Sequence, residues 1–193
     1  MLLPLVLASS SRYRAELLQR LQLPFSLHSP DIDETPLPGE TPVSLCRRLA
    51  VAKANALRHL YPEHLLIGSD QVADCHGDII GKPGTEENAV RQLTRFSGHA
   101  VDFHTGLALL NSRTGTLQRD VVSFRVWFRA LDDAAIRRYI ALDRPLDCAG
   151  SFRCEGLGIS LFERMEGQDP TSLIGLPLIS LAGMLRTEGY LVP

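Results

Sequence analysis

The sequence predicts an α/β fold organised on a mixed, twisted sheet with flanking helices. Three observations carry that expectation. Segments patterned as strands alternate with segments patterned as amphipathic helices through much of the chain. One long antiparallel hairpin breaks the alternation. Val101, Phe103, Thr105, Leu107 and Leu109 share a face on its first arm, and Val122, Phe124, Val126 and Phe128 on its second. Finally, no linker, repeat or low-complexity tract divides the chain, so residues 1–193 read as a single domain.

The elements follow in order. Leu2 to Leu7 is apolar, too short to cross a membrane and without the basic start of a signal segment; it reads as a first strand. A serine-rich turn, Ala8-Ser9-Ser10-Ser11, leads into a helix with Leu17, Leu18 and Leu21 on one face. Phe25 to Leu27 is a short strand, followed by the acidic loop Asp31-Ile32-Asp33-Glu34. Thr41-Pro42 starts the next helix, with Thr at the N-cap and Pro in the first turn. Its expected inward stripe is Leu45, Leu49, Ala52 and Ala56, with Lys53 beside it.

Leu65-Leu66-Ile67 begins a buried strand that ends in Asp70 and Gln71, turns around Cys75-His76-Gly77, and returns through Ile79-Ile80 to Lys82. The helix begun by Thr85-Glu86-Glu87 buries Ala89, Leu93 and Phe96 and stops at Ser97-Gly98. Beyond the long hairpin, Asp132 or Asp133 caps a helix carrying Ile136, Tyr139 and Ile140. Ile159 to Phe162 reads as a strand. Gly175-Leu176-Pro177 introduces a last helix with Leu178, Leu181 and Leu185 inward.

Hydrophobic residues make up 45% and charged residues 22%, as in ordinary globular proteins. A net charge of −2 gives no bulk attraction to a nucleic acid polymer or an anionic membrane. Cys46, Cys75, Cys148 and Cys154 form no CxxC pair and no zinc-like spacing, so reduced thiols in a cytoplasm are expected.

Four places can carry chemistry, each with a plainer alternative. The strand–serine turn–helix start at Ser9–Arg14 suits a phosphate, because the first N–H groups of a helix are unpaired and its dipole favours an anion. Plain N-capping by Ser10 or Ser11 explains the same residues. The acids at 31–34 can hold a divalent cation through oxygen ligands, or simply face water. Lys53 can run along the core edge or point into a cleft. Asp70 and Lys82 place a carboxylate and an ammonium on two arms of one hairpin, as a catalytic pair or as solvated charges.

Taken together, these segments resemble the Maf nucleotide pyrophosphatases. Ala8-Ser-Ser-Ser-Arg-Tyr-Arg14 is similar to the ASxSPRR signature of that family. Asp33-Glu34, Lys53-Ala54, Gly68-Ser69-Asp70-Gln71, Gly81-Lys82-Pro83 and Gly175-Leu176-Pro177 match its remaining motifs in order. The resemblance spans essentially the whole chain. It implies an elongated fold like that of inosine triphosphate pyrophosphatases, with a deep cleft between two lobes. It implies hydrolysis of a nucleoside triphosphate to monophosphate and pyrophosphate. Glu34, Lys53, Asp70 and Lys82 would form the catalytic group, with Asp70 as proton acceptor. Ser9, Ser11 and Arg14 would bind phosphate, and Glu34 and Asp70 would hold Mg²⁺ or Mn²⁺. Relatives are often homodimers, although no segment here identifies an interface. Some are linked to inhibition of cell division, which leaves a nucleotide-binding regulator as an alternative.

The sequence departs from the broad family pattern at three positions. Tyr13 stands where the first of two arginines is usual, Ser69-Asp70-Gln71 replaces ADT, and Glu155 replaces a frequent Gln. These changes resemble the branch that hydrolyses 7-methyl-GTP rather than dTTP and UTP, and Tyr13, Gln71 and Glu155 are the expected specificity residues. Methylation at N7 makes guanine cationic, which suits an aromatic face. A carboxylate at Glu155 can accept from guanine's donor edge, where thymine and uracil present an acceptor. Trp127 is a weaker candidate for stacking on the base.

Overall fold

A computed structural model describes residues 2–193. Among them seven strands form one sheet: β1 (Leu5–Ala8), β2 (Phe25–His28), β3 (Leu65–Cys75), β4 (Asp78–Ile80), β5 (Ala100–Asn111), β6 (Leu117–Phe128) and β7 (Phe162–Gly167). The order is β2-β1-β3-β5-β6-β7, with β4 also on β3. β1 is parallel to β2 and β3, and the remaining pairs are antiparallel, so the sheet is mixed as expected. The helices are α1 (Arg12–Gln19), α2 (Pro42–Ala56), α3 (Glu86–Phe96), α4 (Asp133–Asp143), α5 (Pro170–Ile174) and α6 (Leu178–Thr187). Thr41, Thr85 and Asp132 cap α2, α3 and α4 by accepting from a backbone N–H three residues on.

Alternation along the strands divides the core. On one face, Leu5, Leu7, Ile67 and Leu107 pack with α1 and α6. Further along the same face, Phe103, Phe124 and Phe128 pack with α3 and α4. Between the two clusters that face is polar, carrying Ser69, Gln71 and Thr105, and the short α5 covers the strip. These two clusters are separate parts of the core on one shared sheet.

The opposite face is covered by α2, which lies unusually low. A Cβ on Gly68 would overlap the Ala50 carbonyl oxygen, and one on Gly106 would overlap that of Cys46. The two glycines let the α2 backbone rest directly on β3 and β5.

The pairing of β3 has a gap. β1 accompanies it only to Gly68, and β4 joins it only from Ala73. Residues 69–72 therefore have no strand beside them on that edge. The chain reverses direction across the sheet here, with β2 on one side of β1 and β3 on the other, and α/β sheets open a crevice at such a point.

Four local expectations are corrected. Ile159–Phe162 is not a strand. Leu157–Leu161 forms a 3₁₀ turn burying Gly158 and Leu161, because the chain folds back so tightly that a Cβ on Gly158 would overlap the backbone of Arg153. The strand starts at Phe162, and its polar sequence suits an exposed sheet edge. The inward stripe of α2 is Leu45, Cys46, Leu49, Ala50, Lys53, Ala54 and Leu57; Ala56 is exposed. α1 ends at Gln19, so Leu21 reaches the same core from the following turn. β4 ends at Ile80, placing Lys82 beyond the hairpin arm.

Candidate active site

The gap in β3 is the floor of a cleft of about 800 Å³, within the range of small-molecule sites. Of the candidate residues, all but the weaker candidate Trp127 line it: Ser9, Ser11, Tyr13, Arg14, Glu34, Lys53, Asp70, Gln71, Lys82 and Glu155. One chain supplies them all.

At its centre is a charged triplet. Asp70 and Lys53 are each only 6% exposed. Lys53 Nζ donates to Asp70 Oδ1 at 2.6 Å and pairs with Glu34 Oε1 at 2.8 Å. Asp70 is held by a central strand and Lys53 by a helix seated on glycines, so both positions are rigid. Glu34 comes from an irregular loop, and its side chain is 55% exposed. Arg48 secures that loop. It donates to both carboxylate oxygens of Glu40 at 2.7 Å and to the Thr35 carbonyl at 3.1 Å. Arg48 and the Leu37 N–H lower the Glu40 carboxyl to about 2.

Beside this triplet the turn after β1 starts α1. Ser9 Oγ accepts from the Ser11 N–H at 3.1 Å, and Ser11 Oγ caps the helix by accepting from the Arg14 N–H at 3.4 Å. Among the described residues neither hydroxyl donates to protein, so both O–H groups remain available to an anion. Arg14 donates through Nε to the Gly175 carbonyl at 2.8 Å and, among the described residues, has no carboxylate in salt-bridge contact. Desolvation pushes its guanidinium below the ordinary value, opposed by the field of Asp70 and Glu34. A half-buried cation in that state gains from a phosphate. Lys82 lines the cleft, is exposed and, among the described residues, makes no ion pair.

The far end of the cleft is built from Tyr13 and the segment 147–155. Arg12 lies over the Tyr13 ring at 4.8 Å and donates to its hydroxyl at 2.9 Å. The Cys148 thiol approaches the same hydroxyl at 3.9 Å, and the Cys154 thiol approaches Glu155 Oε2 at 3.6 Å. Burial pushes both thiols up to about 12, so neither is a thiolate nucleophile near neutral pH. Glu155 itself is exposed.

Two candidates sit differently from a simple base pocket. Gln71 points to the sheet face opposite Asp70, where its amide donates to the Ser172 and Leu173 carbonyls at 2.8 and 3.0 Å. Trp127 lies outside the cleft lining, with the Arg164 guanidinium 3.5 Å above its ring.

A family model described as Maf-like protein matches residues 4–188. The chain belongs to the Maf family. Maf relatives resemble it over their whole length. A Pseudomonas aeruginosa protein named 7-methyl-GTP pyrophosphatase is 58% identical over 189 residues, 98% of each chain. A Pseudomonas putida protein of the same name is 59% identical over 192 residues, 100% of each. One from Aromatoleum aromaticum, also so named, is 54% identical over 98% of this chain and 97% of that one. Among solved structures, the Staphylococcus aureus Ham1 protein aligns with a TM-score of 0.48 and 13% identity, over 65% of this chain and 71% of that one.

The donor set of this Maf cleft is only part of a shell for a divalent cation. Among the described residues no cluster of three or more His, Cys, Asp or Glu side chains could hold a metal alone. Lys53 meets Asp70 through Oδ1 and Glu34 through Oε1, and each carboxylate has a second oxygen. Two carboxylates suit Mg²⁺ or Mn²⁺ when substrate phosphates and water complete the shell.

Reading the sequence alone missed three contributors. The Arg48–Glu40 clasp fixes the Glu34 loop, Asp169 anchors α5, and Ser69 reaches the Gly175 carbonyl. An arginine eight residues after a glutamate at a helix start was the one signal available for the first. The other two depend on contacts between distant segments. No helix among the described residues is long and apolar enough to cross a membrane.

Proposed function

We propose that the chain hydrolyses 7-methyl-GTP to 7-methyl-GMP and pyrophosphate. The observation that carries this reading is the full-length identity of 54–59% to proteins of that name. The cleft supports it from below. Its charged centre suits a triphosphate, whose cleavage needs positioning and charge stabilisation rather than covalent catalysis.

Arg14, Ser9 and Ser11 bind phosphate oxygens. Asp70 orients a water and takes its proton as the water oxygen bonds to the α-phosphorus. The bond from that phosphorus to the α–β bridging oxygen breaks, and pyrophosphate leaves with that oxygen. Lys53 fixes Asp70 and Glu34 in place, and Lys82 meets the charge on the leaving group. Glu34 and Asp70 would hold Mg²⁺ or Mn²⁺, which supplies charge neutralisation to the phosphates. At the far end, Glu155 accepts from the guanine donor edge. Tyr13 offers a face to the cationic ring, which must use the side away from Arg12 or displace it. Gln71 acts on specificity through the α5 carbonyls it holds. The reaction is placed in the cytoplasm, in keeping with four free thiols. A homodimer is compatible with it, and the cleft is complete in one chain.

The test is pyrophosphate release from 7-methyl-GTP, GTP, dTTP, UTP, CTP and ITP, each with Mg²⁺ and with Mn²⁺. Preference for 7-methyl-GTP over GTP is expected. Preference for dTTP or UTP would retain the catalytic assignment and overturn the base pocket. No hydrolysis of any member would favour a nucleotide-binding regulator.

A further inference from the structure

We propose that Ser69 is a positioning residue that fixes Arg14 relative to Asp70 through the carbonyl of Gly175. The inference rests on the phosphate-binding role proposed for Arg14. Ser69 precedes Asp70 on β3 and faces the other way, fully buried. Its hydroxyl lies 2.9 Å from the Gly175 carbonyl and 2.9 Å from that of Gly106 on β5. One hydrogen shared between two acceptors ties the strand to its neighbour and to the turn after α5. The Gly175 carbonyl also accepts from Arg14 Nε at 2.8 Å. One oxygen therefore joins the strand that presents the carboxylate to the helix that presents the cation. Because Nε is held, the terminal nitrogens of the guanidinium are left to meet phosphate.

The turn is shaped for this contact. Gly175 has φ +119°, and a Cβ there would stand 3.3 Å from Arg14 Nε. Its approach is fixed from both ends. Asp169, 2% exposed, accepts from the Thr171 N–H at 2.9 Å and from the Ile179 N–H at 2.8 Å, bracketing the turn. Gln71 and Thr105 hold the carbonyls of Leu173 and Ser172. A buried serine with no path to substrate thus sets the spacing between two groups that have one.

The experiment is a double-mutant cycle on Ser69→Ala and Arg14→Ala. Binding of inorganic tripolyphosphate is read by calorimetry, and kcat/KM on the best triphosphate is read in parallel. Ser69→Ala is expected to weaken tripolyphosphate by about 3–10-fold, the size of one net hydrogen bond. Arg14→Ala should weaken it by about 10–100-fold, as for a charged hydrogen bond. The double variant should match Arg14→Ala alone. Asp132→Ala, which removes the α4 cap outside the cleft lining, should lower Tm and leave tripolyphosphate binding unchanged. If Ser69→Ala does not fold, Ser69→Cys keeps the size with a weaker donor and should show the same coupling. Equal losses from Ser69→Ala with and without Arg14 would overturn the proposal, as would a loss of Tm with wild-type affinity. An Arg14→Ala variant that binds tripolyphosphate normally would overturn the phosphate role and this inference together.

Discussion

The two ends of the cleft are built by different means. At the phosphate end, Asp70 and Lys53 are buried on a central strand and on a helix that rests on glycines. Arg14 is tied to the turn after α5. At the base end, Glu155 is exposed in an irregular segment, and Tyr13 already has an arginine over its ring. The first end tolerates little displacement. The second presents side chains that can be exchanged without disturbing a strand. The difference teaches that, in the proposed reading, the buried Asp70–Lys53 pair owes its position to β3 and α2, whereas the exposed Glu155 owes its position to an irregular segment.

The largest effect should come from the rigid end. Asp70→Asn is expected to lower turnover about 10²–10⁴-fold, the range for a lost general base. Near-normal turnover would break the comparison at its strongest point. Next come the two lysines, which separate rigid from loop-borne charge. Lys53→Met and Lys82→Met should each cost about 10²–10³-fold in kcat, as for one charge-stabilising donor. Only Lys53→Met should also destabilise the fold, by about 3–5 kcal/mol, because it leaves Asp70 buried and unpaired. Equal Tm losses in the two variants would mean that Lys82 is structural. A smaller effect is expected at the base end. Glu155→Gln should reduce the preference for 7-methyl-GTP over dTTP by about 10–100-fold, the scale of a charged hydrogen bond, with total turnover kept. An unchanged preference would remove the carboxylate from base recognition.

The smallest effect concerns the clasp that joins the Glu34 loop to α2. The Glu40 carboxyl is depressed from 4.5 to about 2 in the folded chain. A depressed carboxylate contributes stability above its unfolded pKa and loses it as pH falls through the folded value. Wild type should therefore melt slightly above Glu40→Gln at neutral pH, and the gap should close between about pH 4.5 and 2. A gap at pH 2 as large as at neutral pH would exclude the Arg48 pair as its source.

Where local chemistry decides structure, the sequence was readable. α3 and α4 begin at Thr85 and Asp132 because those side chains cap them, and the alternating apolar residues of the long hairpin are buried as patterned, except that Val122 is only half-buried. The α2 stripe was misplaced because alanine is small enough for either side, so Ala52 and Ala56 looked interior while Lys53 occupied the middle of the contact. α5 is only five residues long, and its hydrogen bonds with β3 and β5 join residues 67 to 102 positions apart, so no local signal marks it. The same limit applied to the cleft. Ordered motifs named its residues, but that Lys53 bridges Asp70 and Glu34, or that Gln71 turns away to α5, is visible only in three dimensions.

Gly68 and Gly106 have a consequence for how this chain can vary. Neither lines the cleft, and neither has a side chain to lose. Yet one added methyl at either would lift α2 and with it Lys53, whose 2.6 Å contact with Asp70 depends on that seat. In a library of random variants these two positions should tolerate replacement as poorly as Asp70. Inactive clones there would carry an intact set of charges, displaced by roughly the width of a carbon atom.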